Sequence, residues 1–276
     1  MKTTKFIAII LISFLFFANC DNNKKDNDKK KENLTNLVGG SVLYLTRPGT
    51  WTKITPTSGS IDITVQTGAK KSFNYNPSCS NFTGTDPTYS FFVKRGTSSN
   101  LLVNFMGGGA CWDNKNCLGA DATRMYFPQL GSLSLINLAE ASKLIDVGIL
   151  NHNRSDNPFK DWNMVFIPYC TGDVFWGSND ATYSDPITGE QKVIRHRGFD
   201  NFLSVLKYIR ENFPKENMKQ IFVTGQSAGG YGSIFNFPYI KETYNASNNK
   251  VYTLGDSAEG ISPSSYIVDV NNKWDI

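Results

Sequence analysis

Residues Ile221–Ser233 read IFVTGQSAGGYGS. Three strand-forming apolar residues run without a break into Thr-Gly-Gln-Ser-Ala-Gly-Gly, and a small-residue segment of helical character follows. Gly225 and Gly229 flank Ser227 at two residues on either side, the G-x-S-x-G spacing of a nucleophile elbow. In that turn a side chain at either glycine would clash, and the serine oxygen is left standing above the end of a strand. The pattern predicts a buried strand ending near Gln226, a helix starting near Ala228, and Ser227 as a nucleophile. The amide of Ala228, in the first turn of that helix, is the expected donor to a developing oxyanion.

An elbow of this kind needs a second amide from the loop after an earlier strand. NLLVNFMGGGACWDNKNC, Asn100–Cys117, is an apolar run ending in three glycines. A backbone without side chains approaches a substrate carbonyl closely, so the glycine turn is the partner the mechanism requires, and it precedes the serine in the expected chain order.

Other stretches give the frame. NMVFIPYC, Asn163–Cys170, is another continuous apolar run, the mark of a strand buried on both faces. GFDNFLSVLKYIRENF, Gly198–Phe213, sets Phe202, Val205, Leu206, Ile209 and Phe213 at helical spacing before Pro214. KVYTLGDS, Lys250–Ser257, is one more strand. Strands alternating with helices predict an α/β chain with a mostly parallel sheet flanked by helices. Upstream, SVLYLT and SIDITVQT suggest an antiparallel edge or hairpin, and YSFFVKRG a strand ending in a turn.

The amino terminus has another character. Lys2 and Lys5 precede the apolar run Phe6–Ala18, too short to span a bilayer and suited to a signal peptide over residues 1–20. Cys20, at the end of FANC, resembles the lipidation cysteine of a bacterial lipoprotein. Residues 21–37 are expected to be a solvated tether, for Asp21–Asn33 holds no apolar residue. Residues 38–276 are the expected folded domain. The first 33 residues contain seven Lys against four Asp or Glu, so the remainder holds 21 basic and 20 acidic residues. That near-neutral domain implies no polyanion partner.

Cys79, Cys111, Cys117 and Cys170 remain, an even number in a chain expected to be exported, and three pairings are open. The short loop favours Cys111 with Cys117, which leaves Cys79 with Cys170. Spacing and the presence of only two histidines argue against a zinc site; no metal or cofactor is expected.

Three strings, GGGACWDNKNC, NPFKDWNMVFIPYCTGDVFWGS and VTGQSAGGYGS, resemble the pectin acetylesterase / Notum carboxylesterase family, and the likeness runs from about Cys79 to about Gly260. The resemblance implies an α/β-hydrolase fold, export, and a metal-independent serine esterase. Matched residue by residue, it places the nucleophile on Ser227 and the oxyanion donors on Gly108, Gly109 and Ala228. Asp256, in GDSAEG, matches a pocket-lining segment; the family's triad acid comes later. Trp112 is a candidate pocket residue. With Tyr169, Phe175 and Trp176 it would stack on a sugar, line an acyl pocket or simply fill the core.

The pattern breaks at the base. A serine hydroxyl needs one, usually a histidine oriented by a carboxylate, and in α/β-hydrolases both follow the serine. Both histidines, His152 and His196, precede Ser227, and each is read as a surface or structural residue. Carboxylates do follow, at Glu242, Asp256, Glu259, Asp269 and Asp275. Because members of the family continue past the residue matching Ile276, and SSYIVDVNNKWDI offers no helix cap or closing strand, the chain is expected to be a truncated member with an incomplete sheet. Two functions follow from the sequence. One is an exported or lipid-anchored esterase of the bacterial cell envelope, removing acetyl or other acyl groups from an O-acylated polysaccharide. The other is an inactive surface lipoprotein that binds a glycan or acyl ligand.

Overall fold

The computed structural model describes residues 49–64, 68–119, 126–130, 145–245, 249–260 and 264–275. The chain divides into Met1–Leu45 and Thr46–Ile276, and all described residues belong to the second part. The expected signal peptide, Cys20, the tether at 21–37 and the strand SVLYLT therefore lie outside the described residues.

A six-stranded sheet forms the centre. Its strands are β1 (Trp51–Ile54), β4 (Phe91–Lys94), β5 (Asn100–Phe105), β6 (Asn163–Ile167), β9 (Gln220–Gln226) and β10 (Lys250–Asp256), in the order β1-β4-β6-β5-β9-β10. The last four in that order run parallel, while β4 and β1 are antiparallel to their neighbours. Two hairpins flank the sheet, β2 (Gly59–Thr64) with β3 (Lys70–Tyr75) and β7 (Asn179–Ser184) with β8 (Gln191–His196). Helices α1 (Asn114–Leu118), α2 (Gly198–Asn212), α3 (Ala228–Thr243) and α4 (Ser264–Trp274) complete the described elements. The α/β sheet expected from the sequence is present.

Side chains alternate across a strand, so the register defines two faces. On one lie Phe91, Leu101, Val103, Phe105, Val165, Ile167, Ile221 and Val223, all buried. The helices α2 and α3 cover this face: Phe105 meets Phe202 of α2 at 5.9 Å and Phe175 at 5.0 Å, and Phe91 meets Tyr208 at 5.2 Å. Each such ring removed from water contributes about 1.5–3 kcal/mol. The spacing of Phe202, Val205, Leu206 and Ile209 put them all on the buried side of α2.

On the other face, the parallel strands are not uniformly buried. Leu102 and Met164 are fully covered, but Tyr252 and Leu254 of β10 are 53% and 57% exposed. A continuous apolar run predicts burial on both faces only for a strand with neighbours on both sides, and β10 is paired on one side alone within the described sheet.

Two regions differ from the sequence reading. The sequence does not announce the β7–β8 hairpin, because NDATYS and QKVIRH each carry twice as many polar as apolar residues. The segment SSYIVDVNNKW, read as lacking a helix cap, forms the helix α4. Its Val270 and Trp274, one turn apart, are fully buried, and the Trp274 indole N–H donates to the Cys111 carbonyl at 3.1 Å. Packing, not a capping residue, holds this helix.

Candidate active site

The carboxyl ends of β5, β6, β9 and β10 share one edge of the sheet, where open α/β sheets bind ligands. There β9 ends at Gln226 and α3 begins at Ala228, with only Ser227 between them. Ser227 has φ 56° and ψ −123°, a left-handed backbone that costs a non-glycine residue about 1–3 kcal/mol. The turn is tight enough that a Cβ at Gly225 would collide with the Gly229 carbonyl, and one at Gly229 with the Phe105 carbonyl. Ser227 is exposed, and its hydroxyl does not cap α3. Its backbone is fixed instead: the amide donates to the Asp256 carbonyl at 2.8 Å, and its carbonyl accepts from the Gly230 and Tyr231 amides at 2.8 and 3.2 Å. The Ala228 amide lies in the first helical turn, where no intrahelical acceptor exists.

The glycine turn reaches the same place. A Cβ on Gly107 would stand 2.6 Å from the Gln226 carbonyl oxygen and 3.5 Å from the Ser227 Cβ. Gly108 and Gly109 follow with φ of 157° and 76°, and Gly109 bridges to Tyr126. Gly108 sits between the rings of Tyr169 and Phe127. Cys111–Cys117 closes the loop beyond the turn, and Cys79–Cys170 ties residue 79 to the loop after β6. The Cys111 amide donates to the Gly172 carbonyl at 2.7 Å, which joins the two loops.

The loop after β6 is organised by a fully buried carboxylate that the sequence reading passed over. Asp173 accepts from the Thr171 hydroxyl and the Gly198 amide at 2.6 Å, and from the Phe175 amide at 3.2 Å. Desolvation pushes its pKa up to about 6, against the pull of those hydrogen bonds. Val174 and Phe175, both at positive φ, are held by this arrangement, and the Tyr169 hydroxyl accepts from the Val174 amide at 2.8 Å.

Neither histidine is hydrogen-bonded to Ser227. His196, fully buried and so not a surface residue, has both nitrogens engaged. Nδ1 lies 2.9 Å from the Thr171 carbonyl, which can only accept, so Nδ1 carries the proton; Nε2 then accepts from the Tyr183 hydroxyl at 2.8 Å. Burial drives its pKa down to about 3. His152 Nδ1 accepts from the Lys94 ammonium at 2.9 Å. Of the carboxylates after the serine, Glu242 pairs with Arg210 at 3.0 Å and Asp256 accepts from the Ser257 hydroxyl at 3.0 Å.

A cavity of about 820 Å³ opens beside the elbow, on the sheet face away from α2 and α3. Gly107, Gln226 and Asp256 border it at the elbow, and Phe127, Leu130, Ile145, Val147, Ile149 and Tyr169 give it apolar walls. Asp256 thus lines it. Trp112 does not: it packs edge-to-face on Tyr266 at 5.1 Å. Phe175 and Trp176 turn into aromatic packing, Phe175 against Phe105 and Trp176 against Phe235. The sequence reading missed the walls at 145–150, whose only signal is the short apolar run VGIL. Among the described residues no group of three His, Cys, Asp or Glu is placed to hold a metal ion.

The pectinacetylesterase family model matches residues 66–265. The chain belongs to that family. It is 28% identical over 163 residues to pectin acetylesterase 4 of Arabidopsis thaliana, covering 58% of this chain and 36% of that protein. It is likewise 28% identical over 157 residues to palmitoleoyl-protein carboxylesterase notum2 of Xenopus laevis, covering 55% and 29%. The chain thus spans about a third of the length of these curated relatives. Among solved structures, the Wnt deacylase Notum from Drosophila is similar with a TM-score of 0.52 at 18% identity, over 80% of this chain and 61% of that one. The likeness establishes an α/β-hydrolase-like fold.

Proposed function

We propose that this chain is an exported serine carboxylesterase of the pectin acetylesterase type that cleaves acetyl or other acyl esters on a polysaccharide. The observation that carries this reading is the exposed, uncapped hydroxyl of Ser227 on a strained turn, with the glycine turn packed against it. In the reaction, Ser227 Oγ bonds to the ester carbonyl carbon as its proton passes to a base. The carbonyl oxygen, now negative, takes hydrogen bonds from the amides of Gly108, Gly109 and Ala228. Collapse expels the alcohol with a proton, and water then releases the acid from the acyl-serine. Oxyanion donors of this kind contribute about 10²–10³ each to the rate.

The pectin acetylesterase relatives support a polysaccharide ester and the carboxylesterase relatives a fatty acyl group; the apolar cavity supports acyl groups longer than acetyl. Two disulfides fit an oxidising, extracytoplasmic location. Anchoring of the chain through Cys20 to a bacterial envelope membrane completes the proposal. Among the described residues no helix is long and apolar enough to cross a membrane.

One observation favours a second reading. With both imidazoles engaged elsewhere, Ser227 receives no base from the histidines of this sequence. Removing a triad base lowers kcat by about 10⁶, so the chain alone would act as a lipoprotein that binds acyl or glycan ligands. Hydrolysis of p-nitrophenyl acetate and octanoate by the chain and by Ser227→Ala separates the two. Serine-dependent turnover supports the esterase, and identical rates for the two proteins support the binder.

A further inference from the structure

The cavity wall at residues 145–150 hangs from one buried cation. Lys94, at the end of β4, is 1% exposed. Its ammonium has three N–H donors, and three acceptors lie within reach: Asp146 Oδ1 at 2.7 Å, the Leu150 carbonyl at 2.9 Å and His152 Nδ1 at 2.9 Å. All three come from one stretch, residues 146–152. The Trp51 ring faces the ammonium at 4.6 Å, and its indole N–H donates to the same Asp146 oxygen at 2.9 Å.

That stretch supplies Val147, Gly148, Ile149 and Leu150 to the cavity, with Ile145 just before it. Lys94 itself does not line the cavity. Its charge carries a real penalty, for burial lowers its pKa while the bond to Asp146 raises it less. A methionine would fill the same volume with no charge to desolvate. What an apolar residue would not do is hold three acceptors of one stretch at fixed positions on the sheet.

We propose that Lys94 is a specificity-setting positioning residue: it clamps residues 146–152 to β4 and so fixes the far wall of the cavity, which determines the length of acyl chain accepted. The proposal rests on the reading of the cavity as the acyl site. Short chains end near Gly107 and Gln226 and do not reach the clamped wall; long chains do.

The test measures displacement of cis-parinaric acid, a fluorescent fatty acid, from the full chain by octanoic and hexadecanoic acids. It compares the wild-type chain with Lys94→Met and, as a milder lesion, His152→Ala, which removes one acceptor and leaves the Lys94–Asp146 pair. Expected is a change of about tenfold in the ratio of the two affinities for Lys94→Met, equal to about 1.4 kcal/mol, and a smaller change in the same direction for His152→Ala. An unchanged ratio in a folded variant overturns the clamp, as does an equal loss of affinity for both acids, which marks general loosening. Should Lys94→Met fail to fold, His152→Ala decides alone by the same criterion. A wild-type chain that binds neither acid overturns the acyl reading itself, an outcome distinct from an unchanged ratio.

Discussion

The two faces of the central sheet are built from the same strands and solve opposite problems. On the α3 side, atoms are packed so closely that a methyl group at Gly225 or Gly229 would strike a backbone carbonyl. On the other side the same strand ends border a cavity of about 820 Å³, and its rim residue Phe127 is 59% exposed. The tight face stores the strain at Ser227 that a loose one would relax, and the open face leaves room for what the serine attacks. Position comes from one side and access from the other.

The contrast is broken most severely by Gly229→Ala. Its methyl meets the Phe105 carbonyl, and both strand and helix are anchored, so destabilisation of about 3 kcal/mol or more is expected in urea unfolding. Near-neutral behaviour would mean the elbow is not close-packed. Phe105→Ala, on the same face, is expected to cost about 3–5 kcal/mol. Breaking Cys79–Cys170, which closes a separation of 91 residues, should cost about 2–5 kcal/mol, read as the difference between the wild-type chain and a Cys79→Ala/Cys170→Ala double variant that keeps Cys111–Cys117. Ile149→Ala, on the cavity side, should cost under about 1 kcal/mol because the side chain is already 37% exposed. A loss as large as that of Phe105→Ala would erase the distinction between the faces.

A further contrast concerns protons. The neutral ring of His196 has its pKa pushed down to about 3, whereas the unfolded ring titrates near about 6.5. Its contribution to stability is therefore fully present above about 6.5 and drains as pH falls toward 3. Asp173 runs the other way: raised to about 6, it favours the folded chain at low pH and loses that contribution as pH rises through 6. Because Asp173 is common to both proteins, the stability gap between the wild-type chain and His196→Gln should shrink as pH is lowered from 7.5 to 4.5. A gap independent of pH would mean the ring is not held neutral by burial.

Much of the tight face was legible in the sequence. Strand, elbow and helix are written in IFVTGQSAGG, because glycine spacing and apolar runs are local signals. The open face was not, since its walls come from Phe127 and from residues 145–150, which have no periodicity, and Asp146 in that stretch is held by Lys94, 52 residues upstream. Of the readings open for Trp112, packing is the one its ring contact supports: an aromatic beside a motif is close in sequence, but α4 takes its ring at Tyr266. Buried histidines are equally silent, because the hydrogen bonds that occupy His196 come from Thr171 and Tyr183, 25 and 13 residues away.

The most direct test of the site is prolonged exposure of the chain to a small fluorophosphonate, followed by mass-spectrometric mapping of every serine. The expected result is a single adduct at Ser227. An adduct on other serines with Ser227 untouched would contradict the elbow as the reactive centre.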